Sequence, residues 1–272
     1  MNDTPSPQTA SDLRAMKASG RKIVMLTSYD ASLTVHCEDA GVDVLLVGDS
    51  LGMVIQGHDS TLPVTLEHMI YHSACVARAR RQALLAVDMP YHSYETPGQA
   101  VANARRLLEE GGADMVKLEG GAAILDQLEA LRDAGIRVCG HLGLLPQSVA
   151  ELGGYKVQGR TPEDAERILN DARALERAGV EMIVLECIPA ALGQRISKAL
   201  AIPTIGIGAG SDCDGQVLVS YDLLGLTPGR RPRFAHDFLS EQPAGKGIAD
   251  AIRAYVDAVR EGRFPGPEHS FT

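Results

Sequence analysis

Five apolar runs of strand length each carry an ionisable side chain at or near their end. The runs are VDVLLVG at 42–48, ALLAVD at 83–88, DMVKLEG at 114–120, RVCGHLG at 137–143 and EMIVLEC at 181–187, and the polar residues are Asp49, Ser50, Asp88, Lys117, Glu119, His141 and Glu186. A buried charge without a partner or a metal is costly, so the repeated placement indicates a reactive or ligand-binding site.

Each of these side chains, taken singly, also has a structural explanation. The aspartates and the last glutamate could cap helices or turns, the lysine and the glutamate of the third run could form an ion pair, and the histidine could be a hydrogen-bonded core residue. Their joint occurrence at successive strand ends favours chemistry over these explanations.

The residue types suggest which chemistry this would be. Asp49, Asp88 and Glu119 supply oxygen ligands with no cysteine close by, which suits a hard cation such as Mg²⁺ better than zinc. Glu186 ends the apolar sequence MIVLE, where removal from water makes a carboxylate a stronger base, so we predict that it is a general base. Lys117 and Glu119 are two residues apart on one strand, so we expect both to project toward the same cavity.

The elements that must position these side chains alternate between strands and helices. KIVMLT at 22–27 and IPTIGIG at 202–208 bring the candidate strands to seven, and helices are predicted at 97–111, 122–134, 161–179 and 247–261. Thr161 is the expected N-cap of the third of these helices, with Pro162 in its first turn. Strands that are apolar on both faces and separated by helices form parallel sheets, and a chain of roughly 250 residues suits eight such units, so we predict an α/β fold, a single (β/α)8 TIM barrel.

The ends of the chain and the eighth strand are less clearly marked. The segment 214–225, DGQVLVSYDLLG, is typical of a helix, with Asp214 as cap and Gly225 as stop, so we place the last strand within RPRFAHDF at 231–238. Residues 10–20 are predicted to form a helix that closes the bottom of the barrel. The whole chain, 1–272, is predicted to be one domain with a flexible start at 1–9 and a C-terminal tail at 262–272.

The composition restricts the class of protein. The 272 residues are 45% hydrophobic, enough for a full core, and the net charge of -9 argues against binding to nucleic acid or to anionic lipid. Small-molecule substrates fit better. The beginning of the chain lacks the layout of a secretory signal and no apolar stretch could span a bilayer, so we expect a cytoplasmic protein. The five cysteines are odd in number and form no CxxC pair, which indicates reduced thiols.

Some weaker patterns remain open. His68 and His72 are one turn apart, but the position of the neighbouring glutamate does not match a zinc-protease motif, so we expect an amphipathic helix surface. GIGAG at 206–210 could bring the backbone close to a ligand or could simply form a tight turn. The long segments 49–64 and 142–160 are typical of lids or binding loops.

The sequence as a whole resembles the ketopantoate hydroxymethyltransferase family. The resemblance is carried, in order along nearly the whole chain, by MLTSYDA, VDVLLVGDSLGM, GHDSTLPVT, VDMPYHSY, DMVKLEGG, GHLGLLPQSV, GGYKVQGR, VLECIP, PTIGIGAG, CDGQVLV and FPGPEHSF. It implies a magnesium-dependent TIM barrel with one Mg²⁺ per subunit, assembled as a homodecamer. It also implies transfer of a one-carbon unit from 5,10-methylenetetrahydrofolate to 3-methyl-2-oxobutanoate, giving 2-dehydropantoate, the first committed step of pantothenate synthesis.

The resemblance also implies roles for individual residues. It gives metal contacts to Asp49, Asp88 and Glu119, keto acid contacts to Asp49, Ser50, Asp88 and Lys117, a place beside the keto acid to His141, and the general base to Glu186. The implied reaction is removal of the C3 proton by the glutamate, with Mg²⁺ stabilising the enolate, which then attacks the folate methylene carbon.

Two other functions are compatible with a barrel of this composition. A magnesium-dependent lyase or mutase of the isocitrate lyase type typically carries a reactive cysteine in a lid loop, whereas the long segment 142–160 contains no cysteine. A catalytically inactive barrel that binds a keto acid or acts as a scaffold would not need Asp49, Asp88, Lys117, Glu119 and Glu186 at the strand ends.

Overall fold

The eight strands of the protein form one closed parallel barrel in chain order. The computed structural model describes residues 7–149, 154–229 and 231–272. The strands are β1 Ile23–Thr27, β2 Val44–Val47, β3 Leu84–Asp88, β4 Met115–Glu119, β5 Val138–Gly143, β6 Met182–Glu186, β7 Thr204–Ile207 and β8 Gly215–Leu218. The predicted (β/α)8 barrel is therefore confirmed, and its first seven strands lie within the predicted runs.

Helices cover the outside of the barrel. Their bounds are α1 Ala10–Ala18, α2 Ala31–Ala40, α3 Leu51–Val54, α4 Leu66–Ala79, α5 Pro97–Glu109, α6 Leu125–Asp133, α7 Pro162–Arg177, α8 Ala190–Ala199, α9 Ser220–Leu223 and α10 Ile248–Arg260. The hydroxyl of Thr161 accepts a hydrogen bond from the backbone N–H of Asp164, so it caps α7 as predicted. His68 lies in the first turn of α4 and takes part in the capping of that helix by Thr65.

The prediction for the eighth strand was wrong. β8 lies at Gly215–Leu218, inside the segment that we assigned to a helix, and it pairs with both β1 and β7. The carboxylate of Asp214 accepts hydrogen bonds from the N–H and hydroxyl of Thr204 and pairs with Lys17, so it does not cap a helix.

Close packing between strands explains why this segment is extended. A Cβ on Gly215 would lie 2.4 Å from the carbonyl oxygen of Ile23, so only glycine lets the last strand approach the first. Helix α9 begins only after the strand, at Ser220, and Gly225 follows it with φ 64°. The segment 231–238 forms neither a helix nor a strand.

The barrel interior is apolar in its lower half. Its inward side chains and α1 form one buried cluster: Ala10, Leu13, Met16, Ile23, Met25, Val44, Leu46, Leu84, Ala86, Met115, Cys139, Met182, Val184, Ile205, Ile207 and Val217. A second and larger apolar cluster lies between the strands and the surrounding helices. Two separate apolar layers, inside and outside the strands, explain why the strand sequences are hydrophobic on both faces.

Helix α1 closes the bottom of the barrel, as predicted. Thr9 caps it through reciprocal hydrogen bonds with Asp12. The ammonium of Lys17 donates to the carbonyl oxygens of Ser197 and Ile202, at 2.8 and 2.9 Å, near the amino end of β7. Of the predicted flexible start at 1–9, residues 1–6 lie outside the described residues, and the backbone N–H of Gln8 donates to Gln82.

The state of the cysteines agrees with the reduced thiols expected from the sequence. All five cysteines are free thiols, and Cys139 and Cys187 are buried. Among the described residues, no helix has both the length and the apolar character needed to cross a membrane.

Candidate active site

The predicted polar residues meet at the carboxyl ends of the strands, above the apolar lower half of the interior. Along β3, β4 and β6 they continue the inward-facing series, since Asp88 follows Ala86, Glu119 and Lys117 follow Met115, and Glu186 follows Val184 at intervals of two. All of them are buried or nearly so. The shared orientation of Lys117 and Glu119 was predicted correctly from their spacing.

Asp88 is the centre of the first group of charges. One of its oxygens accepts a hydrogen bond from the ammonium of Lys117 at 2.6 Å, and the other accepts from the backbone N–H of Asp49 at 3.0 Å. Gly48 permits this approach, since a Cβ there would lie 2.8 Å from the hydroxyl oxygen of Ser50 and 3.5 Å from Asp88 Oδ2. The apolar strand β2 therefore ends at an aspartate whose backbone binds a neighbouring carboxylate.

These charges perturb one another strongly. Burial by itself lowers the pKa of Lys117, but the surrounding carboxylates of Asp88, Glu119 and Asp49 outweigh burial and raise it above its ordinary value. The pKa of Asp49 is raised well above its usual range by burial and by repulsion from Asp88 and Glu119. The group thus carries more negative charge than Lys117 alone can neutralise.

His141 lies between two glutamates and joins the second group. Its Nδ1 is 3.3 Å from Glu119 Oε1, and its Nε2 is 3.3 Å from Glu186 Oε2. Burial and Lys117 lower the pKa of His141, but the two glutamates prevail and raise it to about 9. Although burial raises the pKa of Glu119, the contact with His141 and the charge of Lys117 bring it below its usual value. At neutral pH His141 is therefore a buried cation between carboxylates.

Ser50 and Tyr29 form a neutral side of the same site. The Ser50 hydroxyl lies 2.9 Å from the hydroxyl of Tyr29, within hydrogen-bond distance. Tyr29 is fully buried, and burial raises the pKa of its phenol above the usual range. Ser50 therefore presents a hydroxyl that is fixed in place beside Asp88.

One residue of the site was missed in the sequence. Gln147 follows β5 in a short 3₁₀ turn, Pro146–Ser148, and its side chain is buried. Its amide donates to Asp49 Oδ2 at 2.8 Å, and its backbone N–H donates to Glu119 Oε2 at 3.0 Å. Glutamine has no charge and this residue lies beyond the end of β5, so the pattern of ionisable residues at strand ends does not indicate it. Its position in the long segment 142–160 was the available signal.

The side chains available to a metal are those of Asp49, Asp88 and Glu119. Their ligand chemistry fits a hard cation: all three offer oxygen, Glu119 Oε1 is buried without a hydrogen-bond partner, and the raised pKa of Asp49 reflects repulsion that a cation would relieve. In the ranges that the structure describes, no three His, Cys, Asp or Glu side chains are already grouped closely enough to hold a metal ion. Lys117 and Gln147 occupy oxygens of these carboxylates instead.

The backbone turns sharply after the predicted base. Cys187 directly follows Glu186 and has φ 47°, a left-handed conformation that is uncommon outside glycine. Its carbonyl oxygen accepts a hydrogen bond from the backbone N–H of Gln158, so the segment after β5 returns to the rim beside Glu186.

A Cβ on Gly208 would lie 2.9 Å from the ring of Phe271, so the segment GIGAG makes a close contact within the chain itself.

A closed (β/α)8 barrel with carboxylates, a lysine and a histidine gathered at the carboxyl ends of its strands has the architecture of a barrel enzyme. The family model for ketopantoate hydroxymethyltransferase matches residues 7–267. The chain belongs to this family and is an enzyme, a hydroxymethyltransferase.

Close relatives extend over almost the whole chain. A protein of Halorhodospira halophila named 3-methyl-2-oxobutanoate hydroxymethyltransferase is 56% identical over 263 residues, covering 97% of this chain and 94% of the relative. A protein of the same name from Alkalilimnicola ehrlichii is 55% identical over 269 residues, covering 98% of this chain and 96% of the relative.

Solved structures with the same fold are more distant in sequence. A putative lyase/mutase from Burkholderia cenocepacia J2315 has a TM-score of 0.62 at 16% identity, covering 96% of this chain and 97% of that one. A phosphonopyruvate hydrolase in complex with oxalate and Mg²⁺ has a TM-score of 0.59 at 12% identity, covering 95% and 100%. At such identities the likeness shows the fold alone.

Proposed function

We propose that this enzyme transfers a hydroxymethyl group from 5,10-methylenetetrahydrofolate to 3-methyl-2-oxobutanoate and forms 2-dehydropantoate, the first committed step of pantothenate synthesis. The relatives named for this reaction support the proposal at the level of the family. The observation that carries it furthest is the continuous chain of contacts Lys117–Asp88–Asp49–Gln147–Glu119–His141–Glu186. It joins cationic, oxygen-donor and basic groups in one connected cluster.

Binding of the keto acid would use the first group of charges. Lys117 is a buried cation, and Ser50 holds a hydroxyl within hydrogen-bond distance of Tyr29, so both could bind the oxygens of an anionic α-keto acid. We assign Asp49, Asp88 and Glu119 to one Mg²⁺ per subunit. When bound, Mg²⁺ would supply Lewis-acid stabilisation of negative charge on the oxygens of the keto acid.

Proton removal would use the second group. Among the polar residues of the site, Glu186 contacts only His141, and its side chain is 14% exposed. We propose that Glu186 accepts the C3 proton of the keto acid while the cationic His141 keeps the carboxylate in position. The resulting enolate forms a C–C bond with the methylene carbon of the folate, whose two bonds to folate nitrogens break, and water supplies the hydroxyl oxygen, so that tetrahydrofolate is released.

Exchange of the C3 proton of 3-methyl-2-oxobutanoate with solvent deuterium tests the base without the folate. We expect Glu186→Gln to slow this exchange by about 10²–10⁴-fold, the range of general base catalysis. Glu181→Gln, at the opposite end of the same strand segment, is the matched control and should exchange normally. Undiminished exchange in Glu186→Gln would eliminate Glu186 as the base.

The transfer itself is tested by measuring 2-dehydropantoate formation from both substrates, with and without Mg²⁺. Product that forms only with the metal supports the complete proposal. Cleavage or rearrangement without folate would instead support a lyase or mutase, and binding of the keto acid without turnover would support a non-catalytic barrel.

We also propose that the enzyme is a cytoplasmic homodecamer. The support is the family resemblance, together with a net charge of -9, which disfavours association with nucleic acid or anionic membranes. Light scattering coupled to size-exclusion chromatography tests the assembly, and a mass other than ten chains would contradict it.

A further inference from the structure

Gln147 contacts more than one of the charged residues of the candidate active site. It lies in the segment after β5, is 6% exposed, and carries no charge. Its amide nitrogen donates to Asp49 Oδ2 and to the carbonyl oxygen of Met89, at 2.8 and 3.0 Å. Its backbone N–H donates to Glu119 Oε2. A single residue thus holds two carboxylates that come from different strands.

The orientation of the amide is fixed by its neighbours. The carbonyl oxygen of Met89 can only accept a hydrogen bond, so the NH₂ group of Gln147 must face it. The amide oxygen then faces Tyr94, whose hydroxyl donates to it at 2.6 Å. Tyr94 therefore keeps the NH₂ group of Gln147 directed toward Asp49.

These bonds also select which carboxylate oxygens stay free. Gln147 takes Oδ2 of Asp49 and Oε2 of Glu119, which leaves Oδ1 of the aspartate, and leaves Oε1 of the glutamate with His141 Nδ1 as a charged neighbour at 3.3 Å. Glu119 Oε1 is buried and has no hydrogen-bond partner. A buried acceptor without a donor is costly unless a ligand completes it.

We propose that Gln147 is a positioning residue that aligns Asp49 and Glu119 for a divalent cation and ties the segment after β5 to the metal site. The inference rests on the proposed function, because it assumes that these carboxylates bind Mg²⁺. Groups that hydrogen-bond to metal ligands fix their orientation, and their loss weakens metal binding without removing a ligand.

The test is the Mg²⁺ dissociation constant, measured by titration calorimetry on the whole protein. Gln147→Leu roughly keeps the size of the side chain and the backbone N–H bound to Glu119 but removes the amide that holds Asp49, and we expect it to weaken Mg²⁺ binding by about 10–100-fold. Gln158→Leu is the matched control, since the Gln158 amide on the same segment donates only to the carbonyl of Lys156 at the surface. Its Mg²⁺ affinity should equal that of the wild type.

Tyr94→Phe provides a second and milder variant. It leaves Gln147 and its bond to Met89 in place but removes the hydroxyl that donates to the amide oxygen, so the amide is held less firmly. We expect an intermediate loss of Mg²⁺ affinity and no additional loss when it is combined with Gln147→Leu. If Gln147→Leu does not fold, Tyr94→Phe decides: weakened binding supports the inference and unchanged binding overturns it.

The outcomes separate the inference from the proposed function. Wild-type affinity in a folded Gln147→Leu protein would overturn the role of Gln147 and leave the metal site intact. A wild-type protein that binds no Mg²⁺ would overturn both the inference and the metal assignment, while the deuterium exchange test of Glu186 would still stand. A raised Mg²⁺ requirement for turnover in Gln147→Leu, with kcat recovered at saturating metal, would support positioning.

Discussion

Removal of the ammonium group from Lys117 should destabilise the whole barrel. In the wild type, the ammonium and the Asp88 carboxylate are 2.6 Å apart, and their side chains are only 5% and 4% exposed. Lys117→Met keeps the apolar stem and leaves Asp88 as a buried charge without its partner. Breaking a buried pair in this way costs about 3–5 kcal/mol, because the remaining charge is not compensated.

The size of the loss should depend on pH. Lys117 lowers the pKa of Asp49, which burial and the other carboxylates already raise, so its removal raises that pKa further. A carboxyl group whose pKa is higher in the folded state than in the unfolded state destabilises the folded protein fully at pH values above the folded pKa. This destabilisation decreases as the pH falls from the folded pKa toward the unfolded pKa. Lys117 itself stays charged throughout this window, since its own pKa is raised above its ordinary value. The variant should therefore lose less stability at pH 5 than at pH 7.5.

Urea titrations followed by circular dichroism at fixed protein concentration measure this effect. With a urea dependence of about 3 kcal/mol per molar, the expected loss lowers the unfolding midpoint by at least about 1 M at pH 7.5. The double variant Lys117→Met, Asp88→Asn removes both charges and should recover most of the lost stability. A loss below about 1 kcal/mol, typical of exposed pairs, or an equal loss at both pH values would refute the reasoning.

Three further predictions address other parts of the molecule. Burial and Lys117 lower the pKa of His141, but the neighbouring glutamates prevail and raise it to about 9. The charged histidine should therefore stabilise the folded state by on the order of 3 kcal/mol below about pH 6.5, and this stabilisation should be lost as the pH rises through 9. His141→Gln should accordingly be less stable than the wild type at pH 6 in urea titrations, with a difference that narrows by pH 9.5; a constant difference would contradict the charged state. Leu13→Ala removes a fully buried side chain of α1 and should cost about 2–5 kcal/mol of unfolding free energy, and an unchanged midpoint would show that α1 does not close the barrel. Gly48→Ala places a methyl group against Ser50 and should lower kcat/KM about tenfold or more, whereas Gly98→Ala, with nothing within 4 Å of the new methyl group, should be normal; equal activities would contradict the steric argument.

Much of the barrel could be predicted because its strands are marked twice, by apolar runs and by flanking helix signals. Thr161 and Pro162 define the start of α7 through local hydrogen bonds and backbone preference, which act without tertiary contacts. The eighth strand lacks such marks. Gly215 is extended because β1 and β7 lie on either side of it, and a pairing between distant segments leaves little trace in local sequence.

The candidate site shows the same division between local and distant information. The common direction of Lys117 and Glu119 follows from the two-residue period of a strand, so it could be predicted. The position of Gln147 against Asp49 depends on how the segment after β5 folds back over the rim, and no periodic pattern determines that path. The metal contacts stay a prediction, since the carboxylates bind Lys117 and Gln147 in the structure described above.

The apolar lower half of the barrel interior has a practical meaning for mutational studies of this enzyme. Side chains there, such as Leu13 of α1 and Met182 at the opposite end of β6 from Glu186, are fully buried. A substitution in this lower apolar half can abolish activity by destabilising the barrel, although every residue of the candidate active site is still present. Screens for catalytic residues should therefore measure the yield of soluble folded protein as well as activity. Substitutions meant to raise the thermal stability of the enzyme can be made in the apolar lower half of the interior, without changing the residues of the rim.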